Sequence, residues 1–388
     1  MPTDFEPRAQ ARIPVRVYRY LEAVAAHGDV VERLVPYLWR GDPLADAVIA
    51  DGAAEEVLGA CQSPDGAYAQ SVQNLARSVC EVPAWVDWSR IARAGELFYR
   101  AGVLGGLVLG LRSLIAGYAA PDGNKPLVFS GRLAEQTPRR VAETSRFVTE
   151  VCRPGGMRVG ASGWAITVRV RLMHAKVRAL ISQTGRWQPE VWGLPINQHD
   201  MLATNLLFSS VFVDGLRILG LAVSDQDAAD YMHLWRYIGW VMGVEPALLP
   251  ADWRDATRLE AVIQATQRPP DDDSRALVDA LIQAPLRAAK DPRTRRIAQL
   301  RVAVTSQVSR ILLGDPLADQ LALPRSPVVS ATLRRLIRHT ARVGRHVPGQ
   351  WRRLVGERYW QVVINEGLGG APARFDLPSR LATEARSG

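Results

Sequence analysis

The apolar residues of this 388-residue chain recur at helical spacing almost throughout, and that feature removes most folds from consideration. No run of alternating apolar and polar residues marks a half-buried strand, and no Asn-Gly hairpin turn occurs. Neither GxGxxG nor GxxxxGK[ST] is present, so sheet-based nucleotide folds have no anchor. The periodicity predicts an all-α protein. An apolar fraction of 47% beside 22% charged residues supplies ample core.

Breakers divide the pattern. Helices are expected at Val15–Ala26 and Pro43–Leu58, followed by the turn SPDGAY. Pro83 opens a helix through Trp85–Tyr99, and PDGNKP marks a loop. Thr137-Pro138 has the form of a cap followed by proline at the first helical position, starting a helix that ends at the breaker PGG. Further helices are expected at Ser162–Thr184 and at Asn197–Leu219, the latter long and buried. Ser224 with Asp227 forms a capping-box pattern, and Arg275–Ala284 reads as a short helix.

Ala101–Ala120 is the best membrane candidate, but its uninterrupted apolar run stops at Arg112, short of the roughly 20 residues a spanning helix needs. It reads as a core helix. Gly102, Gly106 and Gly110 strip one face of side chains, admitting a close-packed helix or a flat ligand. Residues 1–18 contain no apolar signal segment, so a cytoplasmic protein is expected. Cys61, Cys80 and Cys152 show no CxxC spacing, which argues against a disulfide framework or structural zinc. The net charge of +9 is almost entirely arginine, since lysine occurs only at 125, 176 and 290. Arginine-rich surfaces admit anionic partners, a membrane surface or nucleic acid, without demonstrating either.

Of the six histidines, His27, His339 and His346 read as surface residues, His233 as a core or rim residue, and His199 as part of a loop in which Asn197 or Asp200 caps the next helix. His174 differs. In VRVRLMHAKVR it shares one helical face with Arg171 and Arg178, among Val170, Val177 and Ile181. Two guanidinium groups keep a neighbouring imidazole neutral, the state a metal requires. Two readings stay open: a hydrogen-bonded core histidine with rim arginines, or the ligand of a flat, apolar, metal-bearing group carrying two carboxylates. The second description fits haem. No GxSxG elbow supports a serine hydrolase, and no second metal donor lies at i+4 of His174.

Three stretches taken in order, RRVAET (139–144), VRVRLMHAKVR (168–178) and LPINQHDMLATNLLFSS (194–210), resemble the rubber oxygenase family. That family includes latex-clearing proteins and a membrane-bound oxygenase acting on a farnesyl chain. The supporting pattern runs from VPAWVDW (82–88) to GVEPALLP (243–250). The resemblance implies a globin-like helical core holding haem b, with His174 as proximal iron ligand and Arg171 and Arg178 supporting the cofactor. It implies distal-helix roles for Arg140 and Thr144. Latex-clearing proteins carry a lysine just before that threonine; this chain has Glu143, which reads either as a solvent-facing residue or as an acid–base group near bound oxygen.

The resemblance thus divides the chain into an N-terminal helical extension (1–80), an oxygenase-like core (81–265) and an arginine-rich helical region packed on it (266–388). It implies a haem-dependent oxygenase that uses dioxygen on a small, apolar and unsaturated substrate, isoprenoid or lipid-like. Peripheral membrane contact is allowed and nucleic acid is not expected. The rival readings are a haem-binding sensor or carrier, and a basic module using the arginine cluster at 334–358.

Overall fold

The computed structural model describes residues 13–129, 137–344 and 349–368. The described residues form helices joined by short turns, and no strand occurs among them. The all-α expectation holds. One large apolar core is assembled from distant parts of the chain, from Ala45 and Leu75 through Phe98, Val148 and Trp235 to Leu312 and Trp360. A second cluster gathers Val31, Leu34, Leu202 and Leu259, and a third holds Ile181 and Trp187.

The glycine-striped helix, Trp88–Val108, crosses the middle of the core. Asp87 caps its start, accepting from the N–H groups of Ser89 and Arg90. Gly102 breaks the helical dihedrals at φ 46° and ψ −120° and bends the element. There the Cα of Gly356, on the Gly349–Leu368 helix, lies 3.0 Å from where a Gly102 side chain would begin. Tyr359 of the same helix occupies the space a Gly106 side chain would need. Tight helix packing therefore accounts for these two glycines. Gly110 is different: it sits in a π-helical turn, Leu109–Ser113, with open space beside it.

Two expected elements differ in length. Trp88–Tyr118, with a mean hydropathy of 1.5, and Gln198–Ile218, at 1.3, are long and apolar enough to cross a membrane by length and composition. The helix that carries the apolar run from Ala101 is longer than that run, because it starts thirteen residues earlier, at Trp88. Both stretches nevertheless contribute buried residues to the core, among them Phe98, Val108, Leu202 and Phe212. The stretch expected as one helix from Asn197 to Leu219 is two, Gln198–Phe208 and Ser210–Ile218. They part at Ser209, whose hydroxyl donates to its own helix at Asn205 O, 2.8 Å away. Such back-bonding competes with the regular ladder and bends helices. Likewise Pro43–Leu58 ends as a helix at Ala50.

Caps are where the sequence reads most faithfully. Ser224 and Asp227 form the reciprocal capping box, and Asn197 caps its helix by accepting from Asp200 N. The Thr137–Val151 helix begins where expected, although the cap contacts of Thr137 lie outside the described residues.

Candidate functional site

His174 sits in the middle of a 22-residue helix, Ser162–Gln183. That helix and the preceding one, Thr137–Val151, form a hairpin through the PGG turn. The hairpin is tight because Gly163 has no side chain: one would run into the backbone carbonyls of Glu150 and Gly156. Glu150 is buried at the helix start, accepts from Ser162 Oγ, and is neutralised by Arg146 and Arg153 at 3.0 and 3.1 Å. A carboxylate there complements the positive end of the helix dipole. Trp164 then ties the first turn to Val79 O at 3.1 Å.

Around His174, Val177 and Ile181 are buried, while Val170 and the histidine itself are half-buried. Its Nδ1 is buried and has no hydrogen-bond partner among the described residues. Buried polar atoms are nearly always satisfied, so an orphaned ring nitrogen marks a place where something else is expected to bind or bond. Burial pushes the His174 pKa down to about 4; Arg178 adds to the shift and Asp42 opposes it. The imidazole is thus neutral at physiological pH, with a lone pair available to a metal.

The two arginines have other business than a ligand's anions. Arg171 donates through Nε and Nη2 to Asp42, at 2.6 and 2.9 Å, and through Nη1 to Val241 O. Arg178 meets Asp46 at 2.8 Å and donates to Ile196 O at 2.6 Å. The two guanidinium charges are thus met within the chain, by Asp42 and Asp46. Asp42 caps the Pro43–Ala50 helix and Asp46 lies one turn on. Gln198 Nε2 completes the arrangement by donating to Gly41 O and Gly243 O at 2.8 and 2.9 Å. Gly243, at φ 86°, is obligatory because a side chain would collide with both Asp42 and Arg171. These contacts lock the rotation and height of the His174 helix.

Sequence reasoning missed Asp42 and Asp46, and a signal existed. The hexapeptide GDPLAD occurs twice, at 41–46 and 314–319. In the second copy Asp315 and Asp319 accept from the buried Arg310 at 2.6 and 2.8 Å. Both copies thus place two aspartates one turn apart at a helix start and close them on buried arginine.

The three residues expected on the distal helix lie on Thr137–Val151 with unequal burial. Glu143 is mostly covered, its side chain 13% exposed, and its Oε1 accepts from Arg139 Nε at 3.0 Å. Arg140 is half-buried close to Tyr118, whose pKa its charge lowers against the rise that burial causes. Thr144 is exposed. No hydrogen bond or ion pair among the described residues joins any of the three to His174. Nor do three or more His, Cys, Asp or Glu side chains come together as a metal-binding group among the described residues.

The catalytic-domain family described as ER-bound oxygenase mpaB/B'/rubber oxygenase matches residues 83–345. A rubber oxygenase of Streptomyces sp. (strain K30) is 24% identical over 342 residues, covering 83% of this chain and 79% of that protein. The structure of latex clearing protein in the closed state aligns with a TM-score of 0.65 at 21% identity, covering 87% of this chain and 92% of that one. The hairpin carrying Glu143 and His174 lies wholly inside the matched segment, and the chain belongs to this rubber oxygenase family and is an oxygenase.

Proposed function

We propose that the chain is a haem b-dependent oxygenase of an apolar, unsaturated substrate, with His174 as the proximal ligand of the iron. The orphaned Nδ1 of a neutral, half-buried imidazole is the observation that carries this reading. A single imidazole cannot hold a metal by itself, but it would suit an iron that a porphyrin also holds. Bound haem would supply the activation of dioxygen, chemistry that no side chain provides.

The chain's own residues supply the rest. Arg171 and Arg178 hold the His174 helix in register through Asp42 and Asp46, which keeps the ring where a cofactor meets it. Burial, helped by the charge of Arg178, keeps the ring unprotonated. Glu143 is the candidate acid–base group. Arg139 engages its Oε1, which leaves Oε2 as the atom that takes or returns a proton. The apolar substrate would lie against the helical stretches 101–117 and 198–219, where Gly110 leaves space and Phe208 stacks on Trp235 at 5.0 Å. Isoprenoid or lipid-like alkenes fit such a lining; the curated relative is by name an oxygenase of rubber.

The deciding experiment is the visible absorption spectrum of the purified protein after incubation with haem. A Soret band is expected in the wild type and its loss in His174→Ala, with helicity unchanged. A wild type that takes up no haem overturns the reading.

A further inference from the structure

We propose that the Pro327–Gly344 helix and the first turns of Gly349–Leu368 form a docking surface for an anionic lipid membrane. Arg334, Arg335, Arg338 and Arg342 are exposed on the first helix. No carboxylate occurs in the sequence between Asp319 and Glu357. None of these four arginines forms an ion pair among the described residues. Most other arginines among the described residues are paired, as Arg353 is with Glu96 and Glu357. An unpaired cluster of one sign is a site for the opposite charge.

Apolar residues at the same end select the partner. Leu336 is 54% exposed between Arg335 and Arg338. Trp351, Leu354 and Val355, at 60%, 56% and 61%, stand out from the start of the second helix. Only residues 345–348 separate the two helices, so that start lies within roughly 18 Å of the end of the first. The neighbouring Pro292–Leu313 helix adds exposed Ile297 and Leu300 on its first half.

Arginine surrounding a tryptophan and large aliphatic side chains is the composition of an interfacial helix. The cations meet headgroup phosphates while the apolar side chains enter the acyl boundary. A nucleic acid would use the cations but leave Leu336, Leu354 and Val355 exposed to water, so the membrane accounts for more of the surface. Such docking would place the enzyme where apolar molecules dissolve. It stands independently of the haem reading, because it concerns a different face and needs no turnover.

Vesicle flotation of the full chain tests the proposal. Binding is expected to vesicles of phosphatidylcholine mixed with phosphatidylglycerol, to weaken with added salt, and to be absent with phosphatidylcholine alone. Arg334→Glu, Arg335→Glu and Arg338→Glu together should weaken it about a hundredfold or more, from roughly tenfold or less per cation. Trp351→Ser with Leu354→Ser should also weaken it, with helicity unchanged. Arg77→Glu with Arg254→Glu, exposed elsewhere, should not. No binding to the mixed vesicles, equal binding to both kinds, or indifference to either surface variant would overturn the proposal. Duplex DNA binding lost in the arginine variant, without vesicle binding, would reassign the surface to nucleic acid and overturn it equally.

Discussion

Arg171 and Asp42 meet through two parallel hydrogen bonds of 2.6 and 2.9 Å, with both side chains only 4% exposed. A pair this deeply buried is fragile to single changes, because removing one charge strands the other. Arg171→Leu should cost about 3 to 5 kcal/mol of unfolding free energy. Adding Asp42→Leu should restore part of that loss. Denaturant titration of the three variants checks this, and equal stability of wild type and Arg171→Leu would contradict it.

If His174 holds haem as proposed, the same clamp should govern how well the haem is retained. Arg171→Leu and Arg178→Leu should retain haem less well than Arg352→Leu, which lies outside the hairpin, because the His174 helix is freed to rotate. Dissociation rates of haem to an excess acceptor protein measure the difference. Identical rates in all three would show that the clamp has no hold on His174.

Glu143→Gln separates chemistry from architecture. Its partner Arg139 is 48% exposed, so losing the pair should cost less than about 1 kcal/mol of stability. Turnover of an unsaturated lipid should nevertheless fall about a hundredfold, the usual weight of a general acid–base. Haem content and carbon monoxide binding should stay as in wild type. Glu143→Lys extends the test: if the position faces the iron, an amine-ligated spectrum should appear as pH rises.

The close approach at Gly106 and Gly356 predicts steric sensitivity. A methyl group on Gly356 would meet Tyr99 O, and one on Gly106 would meet the Tyr359 ring. Either alanine substitution should destabilise by about 1 to 3 kcal/mol through overpacking, whereas Gly110→Ala, with nothing nearby, should be neutral or slightly stabilising. Thermal melts of the three variants distinguish the cases.

His233 predicts an acid limb of stability. Its Nε2 accepts from Asp87 N–H at 2.9 Å at the start of the glycine-striped helix. Burial, then Arg90, lower its pKa. The unfolded chain therefore takes up a proton first as pH falls below about 6.5, and the folded state loses stability from there until the folded histidine protonates. Above that pH His233 contributes no pH dependence. The wild type should lose more stability between neutral and mildly acidic pH than His233→Gln, whose amide oxygen can accept the same bond without titrating.

Local features were legible in the sequence because they are written in neighbouring residues. The helical period, the Ser224–Asp227 box, the Asn197 cap and the placement of His174 among aliphatic residues all follow from spacing within a few turns. The candidate site was legible only as far as its own helix. Sequence places Arg171, His174 and Arg178 on one face, and it argues from charge alone that the arginines await an anion.

Tertiary structure decided which anion. Asp42 and Asp46 lie about 130 residues from the arginines they bind, and their distance in sequence hides them from any periodicity. The Ser209 break and the packing of Gly102 against Gly356 were also hidden, for two different reasons. Each depends on what approaches from another helix, or on a local hydrogen bond winning against the helical ladder. A hydrophobic pattern specifies which face is buried; only the packed chain specifies what that face is buried against.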